Sequence, residues 1–237
     1  SGGNAAVISA TGYGSRGGSQ YFREYDPHYV FADPRSGNGG YADNCDYDRF
    51  RSGYARFERG GFQLAGAYAD RVKGVPTASF GTDFNDSGNR TEDLRGYVDL
   101  QYAKRIDEGA DLSVRVYYDE YRYAGDYLYT GTVNRDQSEA AWYGSDIRFT
   151  SRFLNTHRVI IGIENEASLR QDQDNADMFP AAVYLDDHRR SRSWAAYVQD
   201  EIAVSRVLLT APGKGDETGT APGARSCRPS RHGHPAA

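Results

Sequence analysis

The chain has 237 residues, a net charge of −5, 38% hydrophobic residues and a mean hydropathy of −0.74, yet 13% of its residues are aromatic and 19 of them are tyrosine. This aromatic content argues against a disordered chain, and the interspersed charges leave no basic stripe for nucleic acid. No apolar run reaches the roughly 18 residues of a transmembrane helix.

Alternation of apolar and polar residues, the period of a β-strand, predicts about eight strands. The first and weakest runs from about Ala5 to Tyr13. We expect each to span roughly 9–13 residues, the length that a tilted strand needs to cross a bilayer. The other seven have alternating rows that begin at Gly53, Phe62, Leu94, Leu112, Tyr143, Val159 and Trp194.

Many charged residues lie opposite the apolar rows. Arg56, Arg95, Arg115 and Asp146 are examples. Burying so many charges would cost several kcal/mol each unless they were paired. We therefore expect them to face water, either outside a soluble sheet or inside a wide barrel.

Short connections alternate with long polar segments. The short ones lie at 59–61, 105–110 and 153–156, and the long ones near 72–90, 124–138 and 168–190. This asymmetry is typical of outer-membrane barrels, which have short periplasmic turns and long extracellular loops.

The end of the chain has a different composition. No Tyr, Phe or Trp follows Val204, and Pro, Gly, Arg and small residues dominate from Ala211 to Ala237. Residues 205–237 are therefore predicted to be a disordered tail. The abrupt change within the predicted strand from Trp194 to Val204 indicates a shift in reading frame or an early end. Residues 1–204 are predicted to form one barrel portion.

Several segments resemble barrel strands and loops of TonB-dependent outer-membrane receptors, in order and spacing. They are Gly-Ala-Tyr-Ala-Asp-Arg at 66–71, Gly-Thr-Asp-Phe-Asn-Asp-Ser at 81–87, Tyr-Tyr-Asp-Glu-Tyr at 117–121 and Trp-Ala-Ala-Tyr-Val-Gln-Asp-Glu at 194–201. The resemblance covers about residues 1–204. It implies an all-β fold: an antiparallel, up-and-down segment of a transmembrane β-barrel, about eight strands of the roughly 22 in such transporters.

The resemblance also implies a function and a location. The whole protein would be a bacterial outer-membrane receptor for energy-coupled uptake of a siderophore or a cobalamin-like nutrient. Its partners would be outer-membrane lipid, that small-molecule ligand and a TonB-type energy transducer, which is reached only through a plug region not recognisable in this sequence.

Two other functions remain open from the sequence. One is a porin-like or adhesive small outer-membrane barrel without an energy-coupling partner. The other is a soluble carbohydrate-binding β-sandwich, which would bury Val159, Ile161 and Ile163 in a core. An enzyme is not expected, because His28, His157 and His188 show no paired spacing and no Gly-x-Ser-x-Gly motif is present.

Two kinds of residue are candidates for ligand or metal binding. The aromatic candidates either stack on a ligand or form a membrane-rim girdle; they are Tyr21, Phe22, Tyr25, Tyr29, Tyr123, Tyr127 and Tyr129. The acidic candidates either bind Ca²⁺ or lie in solvated loops without a metal; they are Asp43, Asp46, Asp48, Asp172, Asp174 and Asp177. No other cofactor is expected.

Overall fold

The computed structural model describes residues 3–29, 38–153, 156–204 and 207–220, with the backbone alone from 203 onward. Nine antiparallel strands form one sheet, in the order β1-β4-β5-β6-β7-β8-β9-β10-β11. Two further strands, β2 (Ser19–Tyr21) and β3 (Tyr41–Asp43), pair with each other. The nine are β1 (Ala5–Ser15), β4 (Asp48–Arg59), β5 (Phe62–Gly74), β6 (Arg90–Arg105), β7 (Ala110–Tyr129), β8 (Thr132–Phe153), β9 (His157–Asp177), β10 (Ala182–Val204) and β11 (Val207–Thr220).

The sequence-based fold class is confirmed: the described chain is an all-β, up-and-down antiparallel fragment of barrel type. Each of the eight predicted strands is present. None of the helical turns in the described ranges has the length and apolarity needed to cross a membrane.

The predicted disordered tail differs in part from the structure. The backbone of 207–220 forms β11, which pairs antiparallel with β10, whereas 221–237 lie outside the described residues. Without β11, the outer edge of β10 would have unpaired N–H and C=O groups, and any extended backbone can satisfy them. The prediction rested on side-chain composition, which does not reflect this backbone pairing.

The prediction of long loops at 124–138 and 168–190 was wrong. Both segments lie mostly in strands: β7 and β8 are joined by Thr130 and Gly131 alone, and β9 and β10 by 178–181. The strands reach 20–23 residues. The error arose because these hairpins are polar on both faces, while apolar alternation marks only strands with one apolar side.

The two ends of the sheet differ in their connections. The turns at 60–61 and 106–109 lie at one end, here called the proximal end. The turns at 130–131 and 178–181, with the two excursions 16–47 and 75–89, lie at the other, the distal end. Gly60 and Gly61 both have positive φ, of 57° and 89°, as a two-residue type I′ hairpin requires.

One face of the sheet, here called the apolar face, carries the predicted apolar rows. Val114 pairs with Ile147, and Ile147 with Ile163. The side chains of Ile147 and Ile163 are 50% and 57% exposed. No second sheet covers this face in the described ranges, so the core expected of a soluble sandwich around Val159, Ile161 and Ile163 is not formed there.

The opposite, polar face is held by cross-strand ion pairs. Arg115 donates from Nε to Oδ2 of Asp99 over 2.5 Å, and Asp99 is only 5% exposed. Arg95 pairs with Asp119 at 2.9 Å. Such pairing is what allows a dense set of charges on one face without large desolvation costs.

Tyrosine rings on the polar face cover glycines on the neighbouring strand. Tyr117 lies directly opposite Gly144, and Tyr197 directly opposite Gly162. A Cβ atom built on either glycine would overlap the facing ring. The glycines are therefore required by close packing of the rings against the sheet.

The two distal excursions share a small core. Ala42, Cys45, Ala78 and Phe84 are buried, and Phe22 and Tyr25 pack against them. Tyr25 stacks on Phe84 with ring centroids 4.3 Å apart. This cluster ties the 16–47 excursion to the 75–89 excursion.

Replacing Phe84 by alanine is expected to loosen both excursions without unfolding the sheet. Loss of a core Phe costs about 3 kcal/mol, the low end of the usual range, because this core is small. Limited proteolysis should show faster cleavage within 16–47. The matched control is Phe80→Ala, since Phe80 is 83% exposed; equal cleavage rates in the two variants would contradict the packing role of Phe84.

Candidate ligand-binding site

A cleft of about 550 Å³ opens on the polar face at the distal end. The β7–β8 turn is anchored beside it, because the amide of Thr130 donates to Asp83 over 3.0 Å. A register shift between Val183 and Leu185 sets Tyr184 apart from the regular ladder of β10. The cleft is lined by Tyr129, Thr132, Asn134, Asn175, Asp177 and Tyr184.

Hydrogen bonds hold the polar groups of the cleft in place. Asn134 and Asn175 each donate an amide N–H to the other's Oδ1 over 3.0 Å. Asp177 accepts from Nδ2 of Asn134 at 2.9 Å and from the hydroxyl of Tyr184 at 2.6 Å. The result is a carboxylate fixed between the Asn134 amide and the Tyr184 phenol, with the Asn175 amide bonded to that of Asn134.

The same contacts set the charges. Hydrogen bonds from Tyr184 and then Asn134 lower the pKa of Asp177 against a smaller effect of burial. The bond to Asp177 raises the pKa of the Tyr184 phenol, and burial raises the pKa of Tyr129. At neutral pH the cleft therefore offers one carboxylate, two neutral phenols and two amides, which suit a ligand rich in hydroxyl groups.

The pKa shift of Asp177 predicts a pH dependence. An aspartate whose pKa falls on folding contributes stability that is present above its unfolded value, near 3.9, and is lost as pH falls through the folded value. We expect the protection of the amides at 178–185 against hydrogen exchange, relative to their intrinsic exchange rates, to fall below about pH 4. In Asp177→Asn this loss of protection at low pH should be absent; an unchanged loss would contradict this assignment.

A second cavity of about 480 Å³ lies in the middle of the sheet. Charges of both signs line it, including Arg115, Asp146 and Glu166. The hydroxyl of Tyr117 donates to Glu166 over 2.9 Å, and the Arg115 guanidinium lies 4.6 Å above the Tyr117 ring. The charged and hydroxyl groups of this region can bind polar groups of a ligand.

The predicted aromatic residues do not form one site. Phe22 and Tyr25 belong to the core of the excursions. Tyr21 contacts the Tyr41 ring, and Tyr29 lies against the Arg23 guanidinium at 4.2 Å. On β7, the hydroxyls of Tyr123 and Tyr127 are 2.6 Å apart. Tyr129 is the member of the predicted set that lines the distal cleft.

Hydrogen bonding also explains the charge of one loop carboxylate near these aromatics. Asp26 accepts from the backbone N–H of His28 and from the hydroxyl of Tyr21. These contacts, the first of them the stronger, lower the pKa of Asp26 to about 2. The excursion thus keeps this charge throughout the physiological range.

The first acidic group has separate partners for each carboxylate. Asp43 accepts from Nδ2 of Asn38 at 2.7 Å. Asp46 accepts from the amide of Gly18, also at 2.7 Å, and Asp48 pairs with Arg71. Each of these three aspartates therefore has a different partner, and Ca²⁺ binding by them remains a prediction.

The second acidic group is divided between the two faces of the sheet. The cross-strand register places Asp172 and Asp174 on the apolar-face side and Asp177 on the polar side. Five further residues were not predicted: Asn134, Asn175 and Tyr184, which line the cleft with Asp177, and Asp186 and His188, which lie opposite Asp174 and Asp172 on β10. The position of the 178–181 turn determines which of these residues face each other across β9 and β10. Pro180 is the residue in the sequence that could have predicted this turn.

Comparisons with known proteins support the fold. No family model matches the chain, and no curated protein matches it. The crystal structure of the ferric citrate transporter FecA in its unliganded form matches with a TM-score of 0.64 and 12% identity. The match covers 76% of this chain and 31% of that one.

This likeness establishes a class of fold. The chain has a barrel-type β-fold and spans about a third of the length of the transporter that it matches. At 12% identity the likeness concerns the fold alone.

Proposed function

We propose that the chain forms part of the barrel wall of a TonB-dependent receptor in the bacterial outer membrane. The observation that carries the proposal is a sheet with one exposed apolar face and one ion-paired polar face, in a fold shared with FecA. Barrels of this kind place the apolar face against lipid and the polar face in the lumen.

In this proposal the distal end is extracellular and the proximal end periplasmic. The support is the pattern of connections, because periplasmic turns of such barrels are short and both excursions lie at the distal end. The ligand binds at the distal end, then passes along the polar face after an energy transducer moves a plug that belongs to the whole protein.

The proposed ligand is a siderophore or a cobalamin-like nutrient. The distal cleft supports this class, since Tyr129 and Tyr184 offer aromatic rings beside the carboxylate of Asp177 and two amides. Siderophores and corrinoids are large and present many hydroxyl, amide or carbonyl groups. Aromatic rings and hydrogen-bonding groups together suit such ligands.

The test is uptake by cells that express or lack the whole gene. We expect deletion to abolish uptake of one labelled ferric siderophore or of cobalamin, and a protonophore to have the same effect on the wild type. Tyr184→Ala should weaken uptake, whereas Met178→Ala, at the neighbouring turn outside the cleft, should not. Uptake that is passive and insensitive to the protonophore would instead identify a porin-like barrel.

A further inference from the structure

A histidine and three carboxylates cluster on the distal part of the β9–β10 hairpin. The register places Asp172 directly opposite His188, and Asp174 directly opposite Asp186. Ligand atoms of Asp174, Asp186 and His188 all lie within 4.8 Å of one another. The cluster is on the opposite face of the sheet from the distal cleft.

The imidazole of His188 is oriented by the carboxylate behind it. Its Nδ1 lies 3.0 Å from Asp172, while Nε2 lies 2.7 Å from Asp186 and 3.9 Å from Asp174. A proton on Nδ1 shared with Asp172 leaves the Nε2 lone pair directed at the other two carboxylates. Histidines that bind metals are commonly held in this way by a carboxylate on the far nitrogen.

The carboxylate that orients His188 is itself fixed. Arg170 forms ion pairs with Asp172 and with Glu139 on β8. Arg170 is thus neutralised by these two carboxylates. Asp174 and Asp186 face each other, and among the ion pairs of the described residues His188 is their only basic partner. Like charges directly opposite on paired strands are destabilising, and a bound cation would relieve that repulsion.

The cluster lies well beyond the apolar rows. Asp174 pairs with Gln137, which is six residues along β8 from Tyr143, the distal end of its apolar row. At about 3.3 Å per residue, that separation is roughly 20 Å along the strand. The cluster is therefore in the water-exposed part of the hairpin, where an ion in solution can reach it.

We propose that Asp174, Asp186 and His188 bind a divalent transition-metal ion such as Zn²⁺, with Asp172 as a positioning residue. Imidazole nitrogen favours such ions over Ca²⁺ and Mg²⁺, and Ca²⁺ requires six to eight oxygen ligands. Three protein ligands leave a coordination position for water. Because the site is on the face away from the cleft, the ion joins β9 to β10 and is not the transported ligand.

The test is metal titration of the protein purified from outer membranes in detergent. We expect one Zn²⁺ site by calorimetry and one Co²⁺ site with visible absorption, each preferred over Ca²⁺. His188→Gln and Asp186→Asn should each weaken Zn²⁺ binding at least about 10-fold. Asp172→Asn should weaken it about 10- to 100-fold and shift the Co²⁺ absorption, with rescue by Asp172→Glu.

The matched control is Asp187→Asn. Asp187 neighbours the site on β10 but pairs with Arg189 at 2.7 Å, so its replacement should leave Zn²⁺ affinity unchanged. Resistance to proteolysis in all variants checks that the hairpin still folds. The proposal is overturned if the wild type has no Zn²⁺ site, if it prefers Ca²⁺, or if the ligand substitutions weaken binding no more than Asp187→Asn.

Discussion

Replacing Ile147 by arginine is expected to reduce sharply the amount of folded protein in the outer membrane. Ile147 is half exposed on the apolar face, between Val114 and Ile163. In the proposed barrel this position meets lipid. An arginine on the lipid face near the bilayer midplane costs about 2–4 kcal/mol, a large part of the stability of an ordinary domain.

The comparison that isolates the lipid effect is Thr150→Arg on the same strand. Residue 150 is an odd number of positions from 147 and therefore lies on the polar face. We expect nearly normal levels of this variant, measured as protease-resistant barrel in purified outer membranes. Equal losses from both arginines, or none from Ile147→Arg, would contradict the assignment of the apolar face to lipid.

Replacing Gly162 by alanine is the second substitution with a large expected effect. A Cβ atom at this position would overlap the ring of Tyr197, which lies directly across the ladder. The ring must shift to make room for the Cβ and then loses its packing on Gly162. Overfilling a packed site costs about 1–3 kcal/mol, so the barrel should unfold at a lower temperature or denaturant concentration.

A double-mutant cycle measures whether the cost comes from this contact. The variant Gly162→Ala with Tyr197→Ala should recover much of the loss, because the smaller side chain leaves room for the Cβ. Gly53→Ala is the matched control, since nothing lies within 4 Å of the Cβ that it introduces. Additive effects of the two substitutions would show that the ring and the glycine do not interact.

The strands that were predicted from sequence are those with an apolar row. In the proximal part of β7, for example, Leu112, Val114 and Val116 alternate with Ser113 and Arg115, and the hydrophobic effect fixes which face each side chain takes. The distal parts of β7–β10 could not be predicted in this way. Their ladders are sustained by backbone pairing and by contacts such as Arg135 with Asp126, which leave no periodic apolar signal.

The candidate sites were predictable only in part for a related reason. Tyr129 and Asp177 were singled out as residue types suited to ligands, and both line the distal cleft. Their assembly with Asn134 and Tyr184 depends on the register across four strands, β7 to β10, and on the irregularity at Tyr184. A one-residue shift in register would move each side chain to the other face, so composition alone could not group them.

The most direct test of the membrane assignment is a spin-label scan of 146–150 on β8, with single cysteines in a Cys45→Ser, Cys227→Ser background of the protein in lipid bilayers. We predict that labels at 147 and 149 collide with oxygen dissolved in lipid. Labels at 146, 148 and 150 should collide with a water-soluble nickel complex instead. Equal access of the nickel complex to all five positions would contradict the account and favour a soluble sheet.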